Sequence, residues 1–236
     1  MALPKLQSQV YELEQPSTGE KIKYRPFLVK EQKVLMMASE SGDEKQIRDS
    51  LAGIISSCTF EKVDPFTVPM FDVEFLFLRI RGKSVGEKIE LNLLCPDDGE
   101  TRVKTTLNLE DVGVSQKLGH TSEISITDKI KIIMRYPTLN DMVGMSGEKE
   151  AGFDEVLSMM KRCIQEVHDE ETVHCKVDMS ESDLTEFIES LTTEQFQGLA
   201  DFFDTMPKVA HSIDVTNPKT KKKGEVVIEG IQSFFD

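Results

Sequence analysis

The residues best suited to chemistry lie in one short segment: Cys163, His168, His174 and Cys175. Thiolate and imidazole are the side chains that zinc takes most readily, so four of them could close a structural site or hold a metal for hydrolysis. Their spacing, C-x4-H-x5-H-C, departs from the closely paired ligands of zinc knuckles. The packing alternative puts Cys163 on a buried helix face and both histidines on a hairpin, and we adopt it over a metal-dependent enzyme or zinc-stabilised module. Asp183, Glu186 and Glu189 fall on polar helix faces without a nucleophile or metal motif beside them, so solvation accounts for them. His120 and His211 are read as surface or strand residues rather than bases. Lys219, Lys221, Lys222 and Lys223 form a basic loop tip, for which contact with an acidic patch or nucleic acid is the sharper alternative. A phosphate loop, nucleophile elbow, zincin helix and dinucleotide fingerprint are all missing from the sequence. No catalytic residue and no cofactor site is assigned.

Composition narrows the classes further. In the 236 residues, 42 acidic side chains face 28 basic ones, a net charge of −14 that opposes general binding to a phosphate backbone. No apolar run reaches the roughly 20 residues needed to span a bilayer. The first residues, MALPKLQSQVYELE, lack the basic segment and apolar core of a signal peptide, which predicts a cytosolic protein where it is made. Cys58, Cys95, Cys163 and Cys175 are scattered among apolar neighbours, as suits reduced thiols better than a disulfide framework.

The elements that would position these groups follow from periodicity. Residues 10–13 and 22–27 alternate around Pro16-Ser17-Thr18-Gly19 and predict a hairpin. A helix is predicted over 28–39, and a second, capped at Ser41 or Asp43, carries the stripe Ile47, Leu51, Ile54, Ile55 and Cys58. The apolar run after Pro69 reads as a helix because Arg79, Arg81 and Gly82 suit its C-terminal end. Residues 88–94 and 102–109 alternate around Cys95-Pro96-Asp97-Asp98-Gly99, and 209–215 and 225–228 around Asn217-Pro218; both predict hairpins. Residues 123–126 and 130–134 read as short extended or partly helical pieces. Residues 139–152 read as a mobile loop, 153–167 as a helix, and the turn at 169–171 as a small hairpin.

The strongest local signals lie in 180–207. Ser180 with Asp183, and Thr192 with Gln195, have capping-box spacing. Leu184, Phe187, Ile188 and Leu191 mark one helix face, and Phe196, Leu199, Phe203 and Met206 another, before Pro207 ends the pair. This helical hairpin is expected to pack on the 153–167 helix and on the terminal Phe234 and Phe235. Phe202, beside the second stripe, is the candidate partner-facing residue, with Phe234 and Phe235 as further partner-binding candidates.

An internal echo gives the domain reading. Tyr24-Arg25-Pro26 answers Arg135-Tyr136-Pro137, Cys58 answers Cys163, and Cys95-Pro96 answers Asn217-Pro218. The expected fold class is α+β, short amphipathic helices with several β-hairpins, and the echo suggests two similar halves, 1–115 and 116–236, from an internal duplication, with one compact unit as the alternative. Both proline-marked turns resemble half of a zinc ribbon, C-P-x-C-G. The second cysteine is replaced by Asp98 in one and by Thr220 or Lys221 in the other, which argues against a ribbon-type metal site.

Three stretches, STGEKIKYRPFLVKEQKVL, FDVEFLFLRIRGKSVGE and the closing IEGIQSFFD, together resemble the baseplate hub assembly protein family of T-even-type contractile-tailed bacteriophages. The resemblance spans nearly the whole chain and implies a non-enzymatic late protein of the tail. Its partners would be other baseplate hub and tape-measure proteins, and its location the host cytoplasm during assembly and the virion tail baseplate. It leaves two roles open, a hub subunit and an assembly chaperone absent from the mature virion.

Overall fold

The structure is a computed structural model and describes residues 8–142 and 152–230. In chain order the first elements are β1 (Tyr11–Glu14), β2 (Lys21–Tyr24), α1 (Val29–Ser41), α2 (Glu44–Cys58), α3 (Met70–Val85), β3 (Lys88–Leu94), β4 (Arg102–Asn108) and β5 (Gly113–Ser115). Then come β6 (Glu123–Ser125), β7 (Lys131–Met134), α4 (Phe153–Cys163), β8 (Ile164–His168), β9 (Val173–Cys175), α5 (Glu181–Glu189), α6 (Thr193–Thr205), β10 (Lys208–Thr216) and β11 (Lys223–Glu229). The class is α+β, with several small sheets rather than one large one.

The chain divides into two compact units, residues 1–115 with 208–236, and residues 116–207. The sequence reading had kept 116–236 together. The closing hairpin instead pairs β10 with β5, Lys208 to Ser115 through Ala210 to Gly113, so its backbone hydrogen bonds tie it to the first unit. Pairing over such a sequence separation leaves no local trace in composition.

In the first unit the β1–β2 turn is anchored on α3. Asp72, fully buried in the first turn of α3, accepts from Gln15 Nε2 at 2.6 Å, from the Ser17 amide at 3.1 Å and from the Ser17 hydroxyl. A carboxylate at a helix N-terminus also meets the positive end of the helix dipole. The core gathers Ile54, Ile55 and Cys58 of α2, Val73, Leu76, Phe77 and Ile80 of α3, and Ile22, Tyr24 and Phe27. Of the α2 stripe read from the sequence, Ile54, Ile55 and Cys58 are buried and Leu51 packs against them, while Ile47 is exposed; Asp43 caps that helix by accepting from the Lys45 and Gln46 amides. Arg79 does more than complement a helix end: its guanidinium donates to the Leu109 and Val112 carbonyls, pinning the link between β4 and β5 to α3.

In the second unit α4, α5 and α6 cover the antiparallel sheet β6-β7-β8-β9. The predicted helix over 153–167 ends early, at Cys163, and Ile164–His168 is a strand. The register of β7 and β8 shifts between Ile133 and Met134, so Ile164 and Val167, three residues apart, both face the core. A bulged strand thus mimics helical spacing. Both capping boxes of the helical hairpin form, and its inner faces pack on Met160 and Cys163 of α4.

Phe202 corrects the partner-facing expectation. It is 1% exposed, stacks on Tyr136, lies tilted against His120 and meets Phe203 edge-on, so it closes the core of the second unit and presents nothing to a partner. Three residues on from Leu199, it shares that residue's buried face of α6. Phe234 and Phe235 lie outside the described residues. Of the predicted mobile loop, Leu139 is buried and Asp141 is held by Arg135, while residues 143–151 lie outside the described residues.

Candidate functional site

The candidate metal cluster is not assembled. Cys163 points into the core, against the Met159 sulfur at 3.8 Å, and burial pushes its thiol up to about 12, far from a ligand's thiolate form. His168 pairs with Glu166 and His174 with Asp169, the latter two ends of one tight turn. Among the described residues no group of three or more histidine, cysteine or acidic side chains could hold a metal. His120, read as a surface residue, is half-buried: it bonds Thr205 Oγ1 at 2.9 Å and Tyr136 Oη at 3.2 Å, and burial lowers its pKa. His211 lies on β10, and the lysines of 219–223 sit at the tip of the last hairpin. Cys58 and Cys95 are buried free thiols, Cys175 a partly buried one.

What the structure does assemble is a pair of matching arginine clasps. Arg25, just after β2, forks onto Glu31 six residues on, with Nη2 to Oε1 at 2.7 Å and Nη1 to Oε2 at 3.2 Å. Nη1 also donates to the Pro26 carbonyl, Nη2 to Ser57 Oγ, and the Arg25 amide to the Cys58 carbonyl. Arg135, just after β7, forks onto Asp141 six residues on, at 2.7 and 2.9 Å. Its Nη1 donates to the Tyr136 carbonyl, its Nη2 to the Arg162 carbonyl, and its amide to the Cys163 carbonyl. Each carboxylate also accepts from the amide three residues before it, Leu28 and Thr138.

The sequence had paired the two arginine–proline corners and the two cysteines. It did not reveal the carboxylates Glu31 and Asp141. Burial by itself would raise the Glu31 carboxyl, but Arg25, the Leu28 amide and Ser57 outweigh it and hold the group at about 2. Asp141 is depressed too, as Arg135 and Thr138 overcome the same burial cost. A carboxylate depressed in the folded state stabilises fully above its unfolded pKa, about 4. That contribution is lost as pH falls toward the folded value. The Glu31 clasp's contribution to the unfolding free energy from urea titrations is therefore expected to stay flat from about pH 7 to 5 and to drop between about 5 and 2, by roughly 2–3 kcal/mol. Glu31→Gln should lack that part of the slope, and an unchanged slope would refute the assignment.

The first clasp has a consequence at the surface. By drawing Glu31 inward it sets the roll of α1, whose inner stripe is only Glu31, Leu35 and Ala38. The most apolar remainder of the helix, Val29, Val34, Met36 and Met37, is therefore turned to solvent, with Val29 81% and Met37 59% exposed. Between Val34 and α2 runs a groove lined by Lys30, Gln46, Asp49 and Gly53. Lys30 and Lys33 lie among these side chains, so the outer side of α1 is both apolar and basic on an otherwise acidic protein.

Comparison with known proteins supplies the family. A family model described as T4 bacteriophage base plate protein matches residues 8–236. The chain belongs to this family. As a T4-type phage baseplate protein it has a structural role in the phage tail. No curated protein and no solved structure matches it. Among the described residues of this baseplate protein no helix is long and apolar enough to cross a membrane.

Proposed function

We propose that this baseplate protein is a non-enzymatic component of the central hub, a hub subunit or a factor that builds the hub, acting through contacts with other hub and tape-measure proteins. The observation that carries the proposal is the outward apolar face of α1, held in place by a buried ion pair together with Leu35 and Ala38. Lys30 and Lys33 lie among those apolar residues on the same outer side of the helix, so the partner segment that fits is an amphipathic helix whose apolar stripe is interspersed with acidic residues.

The test replaces Met36 and Met37 together by glutamate. Recovery of late phage baseplate proteins with the tagged protein is expected to fall at least about tenfold, the equivalent of roughly 1.4 kcal/mol. Thermal stability should stay within about 2 °C, because both side chains are exposed. Undiminished recovery would sink the reading. Mass spectrometry of purified virions then separates the two roles: a subunit is present in mature particles, and an assembly chaperone is absent.

A further inference from the structure

The turns of the β3–β4 and β10–β11 hairpins meet, and they share one backbone design. In the first, the Cys95 amide donates to the Thr101 carbonyl and the Gly99 amide to the Cys95 carbonyl. In the second, the Asn217 amide donates to the Lys222 carbonyl and the Lys221 amide to the Asn217 carbonyl. The fifth position is left-handed in both, φ 66° at Gly99 and 61° at Lys221. Lysine tolerates that conformation poorly, so its presence shows how strongly the turn's shape is imposed.

Counted as C-P-x-C-G knuckles, the four ligand positions are Cys95, Asp98, Asn217 and Thr220. A thiolate in a metal knuckle accepts amides that follow it, and three of these side chains do the same. Asp98 accepts from the Glu100 and Thr101 amides, Asn217 Oδ1 from the Lys219 and Thr220 amides, and Thr220 Oγ1 from the Lys222 amide. The turns press together closely: a Cβ on Gly224 would come within 2.5 Å of the Pro96 ring.

The residues do not fit a metal. Because Asn217 Oδ1 is occupied by two backbone amides, its Nδ2 must face the other turn, where it donates to Asp97 Oδ1 at 2.8 Å and Asp98 Oδ2 at 2.9 Å. The Thr220 hydroxyl donates to Asp97 as well. Protons thus point where a cation would need lone pairs.

We propose that the paired turns are a zinc ribbon that closes without zinc, with Asn217 and Thr220 of one knuckle hydrogen-bonded to Asp97 and Asp98 of the other in place of the metal. Asn217 is 1% exposed, so its amide is a buried cross-link rather than a surface contact.

The experiment has two arms. The full-length wild-type protein is expected to contain no zinc after purification and to melt at the same temperature with and without a strong chelator. Asn217→Leu should melt about 3–8 °C lower, also indifferent to chelator. In the second arm, the variant carrying Asp98→Cys, Asn217→Cys and Thr220→Cys is titrated with Co2+ and Zn2+. It should bind one ion per chain, show the visible absorption of a tetrahedral thiolate site, and fold or melt in a zinc-dependent way. Stoichiometric zinc in the wild type, an unshifted Asn217→Leu, or a triple-cysteine variant that shows no metal response would each overturn the proposal.

Discussion

Arg25→Ala is expected to destabilise the first unit by about 3–5 kcal/mol, among the largest losses any single substitution here should cause. The reason is what remains. Glu31 stays buried and still accepts from the Leu28 amide and Ser57, but its charge has lost the fork that neutralised it. The Cys58 carbonyl keeps its bond to the backbone of residue 25, so the corner itself survives and the loss is electrostatic. Arg25→Lys should recover only part of the stability, since an ammonium cannot reproduce two parallel bonds and also reach Ser57. Arg135→Ala should cost less, about 2–4 kcal/mol, because Arg135 is 37% exposed and its pair is partly screened. Urea unfolding of each variant checks the order. A loss below about 1 kcal/mol at Arg25 would mean that the clasp is incidental. Because Arg25 also sets the roll of α1, the same variant should weaken partner recovery at temperatures where it is still folded.

The clasps also show where sequence reading stops. Helices with their own start signals were legible: Ser180 and Thr192 announced α5 and α6, and Leu51, Ile54, Ile55 and Cys58 announced the buried side of α2, with Ile47 left exposed. Those signals are local, each resting on residues within two turns. Glu31 and Asp141 carry no such mark, because a carboxylate six residues from an arginine is commonplace and only the fold makes it buried. The same holds for Asp72, whose partners lie more than fifty residues away. Strand β8 was hidden for a different reason: its bulge gave Ile164 and Val167 the spacing of a helix. The exchange of the closing hairpin into the first unit was invisible because β5 is only three residues long. Even so, the echo of Arg25 with Arg135 and Cys58 with Cys163, noticed as residue order alone, finds a geometric counterpart in two clasps that share five hydrogen-bond roles. The spacing between arginine and carboxylate is six residues in both.

Phe202→Ala carries the second large effect, an expected loss of about 3–5 kcal/mol from the second unit. The ring is packed on every side: Tyr136 lies 5.7 Å away at 16°, His120 5.1 Å away at 39°, and Phe203 meets it edge-on at 5.2 Å. Removing it opens a cavity beneath α6 that neither Tyr136 nor His120 can fill without breaking the bond between them, or the one from His120 to Thr205. Phe203→Ala, at a partly exposed position on the same helix, should cost distinctly less and serves as the control. The two readings of Phe202 part at this point. A core residue predicts that assembly fails only under conditions where the variant unfolds, and that lowering the temperature restores it. A contact residue predicts lost assembly at full stability, which burial of the ring inside its own unit opposes.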